Sequence, residues 1–391
     1  MRNVPELRFD GYDGEWEEKK LSKIAKFSKG KGYSKTDLKN SGNPIYLYGE
    51  MYTNYKSQIN DVETFTDKIK ANSVLSKGNE VLIPSSGETA IDLARASHMN
   101  IPKVLLGGDL NIIEPINGFD PHFLALELSN GTIKQSLAKK AQGKSVVHLY
   151  NTDIKNQKVN YPIIDEQEKI GSLFRKIDAL IEIQEGKVSK MEDFKKSMLQ
   201  KMFPKKDELV PEFRFDGFDG EWEIKKIKEL ASVKTGKSDT KDADDNGIYP
   251  FYIRSDEPVK SSKYLYDEEA VLTIGDGQIG KVFFYVNGKY DLHQRVYRIF
   301  DFTDYIDPKY FYHYFSRFFL RRAMMLSAKG TVDSVRMEMI TGMEIKIPQI
   351  KEEQIKIRRF LENIDSQIEN EEKLLDSYKM MKKSLLQKMF V

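Results

Sequence analysis

The chain of 391 residues contains no cysteine, two tryptophans and five scattered histidines, and its 62 basic side chains nearly cancel its 60 acidic ones. Without cysteine there are no disulfides and no thiolate metal sites, and a reducing interior such as a cytoplasm is the natural setting. No uninterrupted apolar run approaches the ~20 residues that a bilayer crossing needs. The opening M-R-N-V-P-E-L-R-F-D has no apolar signal-peptide core, so the chain reads as soluble. A net charge near zero gives no hint of a polyanion-binding protein, and any nucleic-acid site has to come from local clustering. His98, His122, His148, His293 and His313 show no metal-ligand spacing.

What is present is repetition. V-P-E-L-R-F-D-G-Y-D-G-E-W-E-E-K-K at Val4 to Lys20 returns as V-P-E-F-R-F-D-G-F-D-G-E-W-E-I-K-K at Val210 to Lys226, an offset of 206 (210 − 4). K-K-S-M-L-Q-K-M-F at Lys195 to Phe203 recurs as K-K-S-L-L-Q-K-M-F at Lys382 to Phe390, an offset of 187 (382 − 195). The chain is a tandem duplication whose second unit has lost about 19 residues from its middle. Shared ends around different interiors suggest one scaffold carrying two recognition surfaces. Trp16 and Trp222 lie in the opening repeat and read as core anchors.

Residues 163-203 carry heptads, with Ile170, Ile177, Gln184, Met191 and Met198 at one core position and Phe174, Ile181, Val188, Lys195 and Met202 at the other. Residues 349-390 repeat the pattern with Ile357, Ile364, Glu371, Tyr378 and Leu385 against Leu361, Ile368, Leu375, Lys382 and Met389. The polar intrusions, Gln184 with Glu371 and Lys195 with Lys382, read as register devices in a pair of helices. Connectivity makes that pair antiparallel and brings the C-terminus back near the N-terminus, in a pseudo-twofold, cyclic arrangement. The expected domains are lobe one at 1-160, a spacer helix and linker at 161-209, lobe two at 210-346 and a second spacer helix at 347-391. Strand patterns at Val81 to Pro84, Lys103 to Leu106, Ala270 to Ile274 and Lys281 to Val286, with helices at His122 to Asn130 and Lys309 to Ala323, make each lobe a small α+β domain.

Three motifs resemble cofactor sites and lack the flanks such sites need. A-S-V-K-T-G-K-S at Ala231 to Ser238 fits a loose phosphate loop, but an acidic loop and not a helix follows it. G-D-G-Q-I-G at Gly275 to Gly280 follows a strand, yet K-V-F-F-Y-V continues as another strand, so a hairpin is expected. N-P-I-Y at Asn43 to Tyr46 lacks the second proline of the amino-methyltransferase motif.

Polar loops remain. Ser28 to Thr36 aligns with Lys234 to Lys241 and preserves a Gly-Lys step, and lysines beside glycine and hydroxyls suit backbone phosphates. Aromatic and polar clusters follow at Tyr46, Tyr48, Glu50, Tyr52 and Tyr55 and at Tyr249, Phe251, Tyr252, Arg254 and Ser255. Arginine, glutamine and asparagine bond base edges in pairs.

In doubled order, the motifs R-F-x-G (Arg8 and Arg214), E-W (Trp16 and Trp222), the G-K loop, V-L-x-x-x-x-G (Val81 and Val271) and P-x-x-x-E-Q (Pro162, and Pro348 with one extra residue) resemble the specificity subunits of type I restriction-modification systems. The resemblance covers nearly the whole chain. It implies two target recognition domains that read the halves of a split, asymmetric double-stranded DNA target, joined by spacer helices, with no catalytic residues. It implies partners: two methyltransferase subunits, which bind S-adenosylmethionine, and restriction subunits, which use ATP and Mg. The expected DNA contacts in lobe one are Lys29, Lys31, Tyr33, Ser34, Lys35, Tyr48, Tyr52, Ser85, Ser86, Glu88, Thr89 and Lys144. In lobe two they are Lys234, Lys237, Ser238, Lys241, Arg254, Ser255, Asp276, Gln278, His293, Gln294, Arg295, Lys329 and Thr331. Two other classes stay open at this point, a coiled-coil adaptor that binds only proteins and a nucleotide-dependent enzyme.

Overall fold

The computed structural model of the protein describes residues 3–116, 118–143, 146–326 and 334–390. The chain divides into two compact units, Met1–Glu185 with Lys373–Val391, and Gly186–Glu372. Each unit takes part of both long helices, because each lobe builds its core on them. Among the described residues no helix is long and apolar enough to cross a membrane.

In the first unit, Ala25–Lys29, Leu110–Pro115, Glu80–Pro84, Ser97–Met99 and Gln58–Ile59 form a five-stranded sheet in that order. The run V-L-I at Val81 to Ile83 is continuous because both faces of the strand are covered. Val81 and Ile83 point into the core that holds Phe123 and Leu124, and Leu82 points into a second core with Met99 and Val104. A further sheet orders Phe65–Thr66, Asn43–Tyr46, Pro102–Leu106 and Leu75–Lys77. The second unit merges these layers into six strands, Ser232–Thr235, Val296–Phe300, Tyr266–Ile274, Phe283–Leu292, Tyr249–Tyr252 and Val259–Ser261. The segment Gly275 to Gly280 is the connection of an antiparallel hairpin, as its flanking sequence predicts.

Both opening and closing repeats are explained by contacts inside the units. The guanidinium of Arg8 grips buried Glu166 through Nε and Nη2 at 2.6 and 2.7 Å, and Arg214 grips Glu353 through the same two atoms at 2.9 Å each. The next residue, Gln167, accepts from the Asp120 N–H at 3.1 Å and donates to the Pro162 carbonyl at 2.8 Å. Gln354 does the same with Asp307 and Pro348 at 2.9 and 3.1 Å. Asp120 and Asp307 in turn cap helices Pro121–Ser129 and Pro308–Leu326, accepting from the N–H groups of Phe123 and Tyr310. Removing one partner of such a buried pair leaves an uncompensated charge, at a cost of about 3–5 kcal/mol.

The long helices span Ile164–Lys201 and Lys351–Met389, within a turn of the heptad limits at either end. In the first unit Lys382 pairs with Asp178 and Lys379 with Glu185; in the second, Lys195 pairs with Asp365 and Lys187 with Glu371. In both, the partner number falls as the residue number rises, so the segments run antiparallel. Ile170, Phe174, Ile177, Val188, Ile357, Leu361 and Ile364 are buried, while Ile181, Met191, Ile368, Leu375 and Tyr378 are half-buried. Lys195 and Lys382 do not enter the seam as bare intrusions; each is neutralised by an aspartate, and those aspartates are themselves one repeat apart.

Each helix ends in a hydrophobic plug. Met202 and Phe203 are buried in the core of lobe two, with Phe203 5.7 Å from Tyr310 and 5.5 Å from Tyr314. Met389 and Phe390 are buried in the core of lobe one, with Phe390 5.7 Å from Phe123 and 6.0 Å from Phe174. Trp16 and Trp222 sit in these same cores, 3% and 1% exposed. The Leu7 N–H donates to the Lys388 carbonyl at 2.8 Å, so the C-terminal helix does return to the N-terminal segment.

Two outcomes follow. Phe390→Ala removes a buried ring at a cost of about 3–5 kcal/mol; hydrogen exchange is expected to accelerate in lobe one amides, and Phe203→Ala to act on lobe two instead. Uniform acceleration in either variant argues against separate plugs. Glu127, 1% exposed, accepts from the Asn160 N–H at 3.2 Å with no cation paired to it among the described residues, and burial pushes its carboxyl up to about 8. Because the folded value is raised, its stabilising contribution is complete below the ordinary carboxylate range and is lost as pH rises through about 8. Glu127→Gln should therefore melt like the parent at pH 4 and several degrees above it at pH 8.

Candidate nucleic-acid interface

Both lobes present their polar loops on one backbone frame. Gly30 and Gly236 sit where the chain crosses a neighbouring strand; a Cβ there would come 1.9 Å from the Gly107 carbonyl oxygen or 2.2 Å from that of Leu292. The glycine of the Gly-Lys step is thus a packing requirement. The lysine N–H that follows is pinned in both lobes, Lys31 to Leu106 and Lys237 to Leu292, at 3.1 Å each. Further equivalent bonds join Gly107 to Tyr46 and His293 to Tyr252 at 3.0 Å, and Ser85 to Asp109 and Gly275 to Arg295 at 2.8 and 2.9 Å. These bonds align Tyr48 with Arg254, Ser86 with Asp276, Glu88 with Gln278, and the turn Gly107-Gly108-Asp109 with His293-Gln294-Arg295. The extra residues of lobe one fall between Tyr46 and Pro84 and between Pro84 and Leu106, away from the frame itself.

In lobe one, Lys35, Tyr48, Tyr52, Ser86 and Glu88 are brought together around a cleft of about 530 Å³. Arg95 and Asp92 complete its wall, and neither is among the residues expected from sequence. Arg95 donates to the Met51 carbonyl at 3.0 Å and to Asp92 at 2.5 Å, and its guanidinium lies 5.5 Å from the Tyr52 ring and 5.4 Å from that of Tyr55. The signal was available in D-L-A-R, an acid and a base three residues apart behind the Thr89 cap of the short helix Ala90–Leu93. Lys29 and Lys31 are exposed, Lys29 with its ammonium 5.6 Å from the Tyr150 ring.

Several expected contacts are turned inward. Tyr33 is 6% exposed, its hydroxyl 2.6 Å from Ser73 Oγ and accepting from the Lys70 N–H at 2.9 Å. Ser85 is buried against Asp109, the hydroxyl of Ser34 is 2.9 Å from that of Thr36, and Thr89 caps its helix. Ser86 is buried as well, although it lines the cleft. Tyr33, Ser85 and Ser86 are turned inward, a correction that burial imposes on the expectation that they face DNA, whereas Ser34 and Thr89 stay exposed with their hydroxyls bonded inside their own loops.

In lobe two, Arg254, Gln278, Gln294 and Arg295 are exposed, and Arg254 and Arg295 both bond Asp276. Gln294 donates to Asp239 at 3.1 Å, and Ser255 donates to the Glu257 carbonyl. Ser238 is buried and donates to buried Asp291 at 2.6 Å, so it too is structural. His293 is also buried; burial first, and then the Arg254 guanidinium, draw it below its ordinary range. Its Nδ1 is then an acceptor for the Arg295 N–H at 3.1 Å, which fixes the turn. Lys234, Lys237 and Lys241 project into solvent. Lys144, Lys329 and Thr331 lie outside the described residues. Among the described residues no group of three or more His, Cys, Asp or Glu is placed to hold a metal ion. The arrangement offers solvated ammonium groups for phosphates and, in each lobe, a different set of polar groups for base edges.

Residues 13–193 and 219–378 match the family described as type I restriction modification DNA specificity domain. The chain is 22% identical over 351 residues to the MjaVIII type I restriction enzyme specificity subunit of Methanocaldococcus jannaschii, covering 82% of this chain and 80% of that one. It is 25% identical over 150 residues to the EcoDI specificity subunit of Escherichia coli, a match that spans 38% of this chain and only 32% of the relative. Among solved structures, it resembles a type I restriction-modification S subunit from M. genitalium with a TM-score of 0.69 at 13% identity, covering 99% of each chain. A chain from a study of complex assembly in the type I system matches with a TM-score of 0.57 at 15% identity, over 96% of this chain and 97% of that one. At these identities the two structures speak to the fold.

Proposed function

We infer the function of the chain from its family: the chain belongs to the type I restriction modification DNA specificity domains. Each lobe reads one half of a split, asymmetric DNA sequence, and the paired helices set the gap between the halves. The chain brings methyltransferase subunits, which carry S-adenosylmethionine, and ATP- and Mg-dependent restriction subunits to that target. It performs no chemistry of its own in this reading, and it acts in the cytoplasm, where those partners meet DNA.

The observation that carries the reading is the doubled frame. The same main-chain hydrogen bonds hold the loops of both lobes and keep the exposed lysines Lys31 and Lys237 in step, yet the side chains differ at Tyr48 and Arg254, Ser86 and Asp276, Glu88 and Gln278, and Asp109 and Arg295. A scaffold duplicated for two different half-sites needs that combination; an adaptor that binds only proteins does not. Mapping methylated bases in cells that carry the chain with methyltransferase subunits tests it, and the expected result is a two-part motif with a fixed gap. A continuous motif, or methylation that ignores sequence, would count against the reading.

Two finer outcomes are expected. Lys31→Ala or Lys237→Ala weakens binding to all duplexes alike and lowers the slope of log affinity against log salt by about one, the effect of losing one phosphate contact. A heptad added to or removed from both helices changes the gap and leaves the letters on either side intact, which the same methylation map reads directly.

A further inference from the structure

At three positions made equivalent by the shared frame, lobe one carries Tyr48, Ser86 and Asp109, and lobe two carries Arg254, Asp276 and Arg295. In lobe two these side chains meet. Arg295 Nη1 donates to Asp276 Oδ2 at 2.8 Å, and Arg254 Nη1 donates to the same oxygen at 3.2 Å. The arginine side chains are 60% and 45% exposed and the aspartate 28%. Ion pairs this exposed add little to stability. One carboxylate also leaves two guanidinium groups with a net positive charge. What the arrangement does achieve is placement: two long side chains that would otherwise sample many rotamers are tethered at one point, which lowers the ordering cost of a later contact.

We propose that Arg254 and Arg295 read guanines in the half-site of lobe two, with Asp276 as the positioning residue that aims both. The inference rests on the reading that the lobes contact DNA. Guanine shows two adjacent acceptors, O6 and N7, in the major groove, whereas adenine shows a donor beside N7. Two parallel N–H groups of a planar guanidinium match the first pattern and clash with the second. A guanidinium has five N–H donors, so a single Nη1 bond to Asp276 does not use up the pair that a guanine needs. Lobe one offers hydroxyls and a carboxylate at the same three positions and cannot make this fork there. The two lobes therefore read different letters from one backbone design, and the split target is asymmetric for a stated chemical reason.

The test uses the full chain with methyltransferase subunits and a map of methylated motifs. Arg254→Lys and Arg295→Lys keep the charge and remove the fork. Each is expected to admit other bases at a G·C pair of one half-site, with discrimination falling roughly five- to hundredfold, while the other half stays unchanged. Asp276→Asn should relax both positions together without altering melting temperature, while affinity for unrelated duplex DNA holds or rises because one negative charge is removed. Relaxation at A·T pairs only, or an unchanged motif from variants that melt normally, would overturn the guanine assignment and leave bipartite recognition standing. Asp276→Asn that weakens every duplex equally would overturn its positioning role. A native map without a two-part motif would remove both the inference and the reading beneath it.

Discussion

Phe390, one residue from the end of the chain, fills the core that Trp16, Phe123 and Phe174 begin. The rest of the structure depends on this closure. A lobe of this size buries enough surface to hold together only when its interior is filled, and the filling residue arrives on a helix that starts beside the other lobe's last strand, Glu344–Ile347. Phe203 does the same for lobe two, and the recurring K-M-F is the trace of that requirement. Because both plugs ride on long helices, the position of each of these helix ends is set by side chains buried in a core.

At the other end of each helix the Arg–Glu grip and the Gln bridge do a related task with polar chemistry. Glu166 and Glu353 are buried and each holds an arginine from the opening repeat; Gln167 and Gln354 tie the capping aspartate of the lobe helix to the proline before the long helix. Each of these buried groups is bonded inside the junction, so a change at one of them strands the partner that it holds. That explains why opening and closing motifs recur together while the loops between them differ. A rigid junction, a plugged core and a main-chain frame pinned at Lys31 and Lys237 leave the exposed side chains free to vary without loss of the fold.

The repeats, the heptads and the alternation of strands were legible in the sequence because each reflects a local period that backbone geometry imposes. Val81 to Pro84 and Ala270 to Ile274 are strands as expected, and Trp16 and Trp222 are core residues. The site was legible only in part. The Gly-Lys steps mark real equivalence, but their glycines answer to a close approach of backbone that is distant in sequence. Tyr33, Ser85, Ser238 and His293 have the composition of a binding loop and are spent on internal hydrogen bonds. The role of Arg95 is set by the fold, which brings it against Tyr52 and Tyr55, some forty residues earlier.

The sequence by itself determined that there are two copies of one α+β scaffold, that two helices of heptad character follow them, and that these helices pair antiparallel, since periodicity and connectivity are properties of the chain alone. Tertiary structure decided which polar residues are left to face outward and which partners they hold. Burial and hydrogen bonding are settled between segments far apart in the chain: the same turn becomes Gly107-Gly108-Asp109 beside a serine in lobe one, and His293-Gln294-Arg295 beside a carboxylate in lobe two.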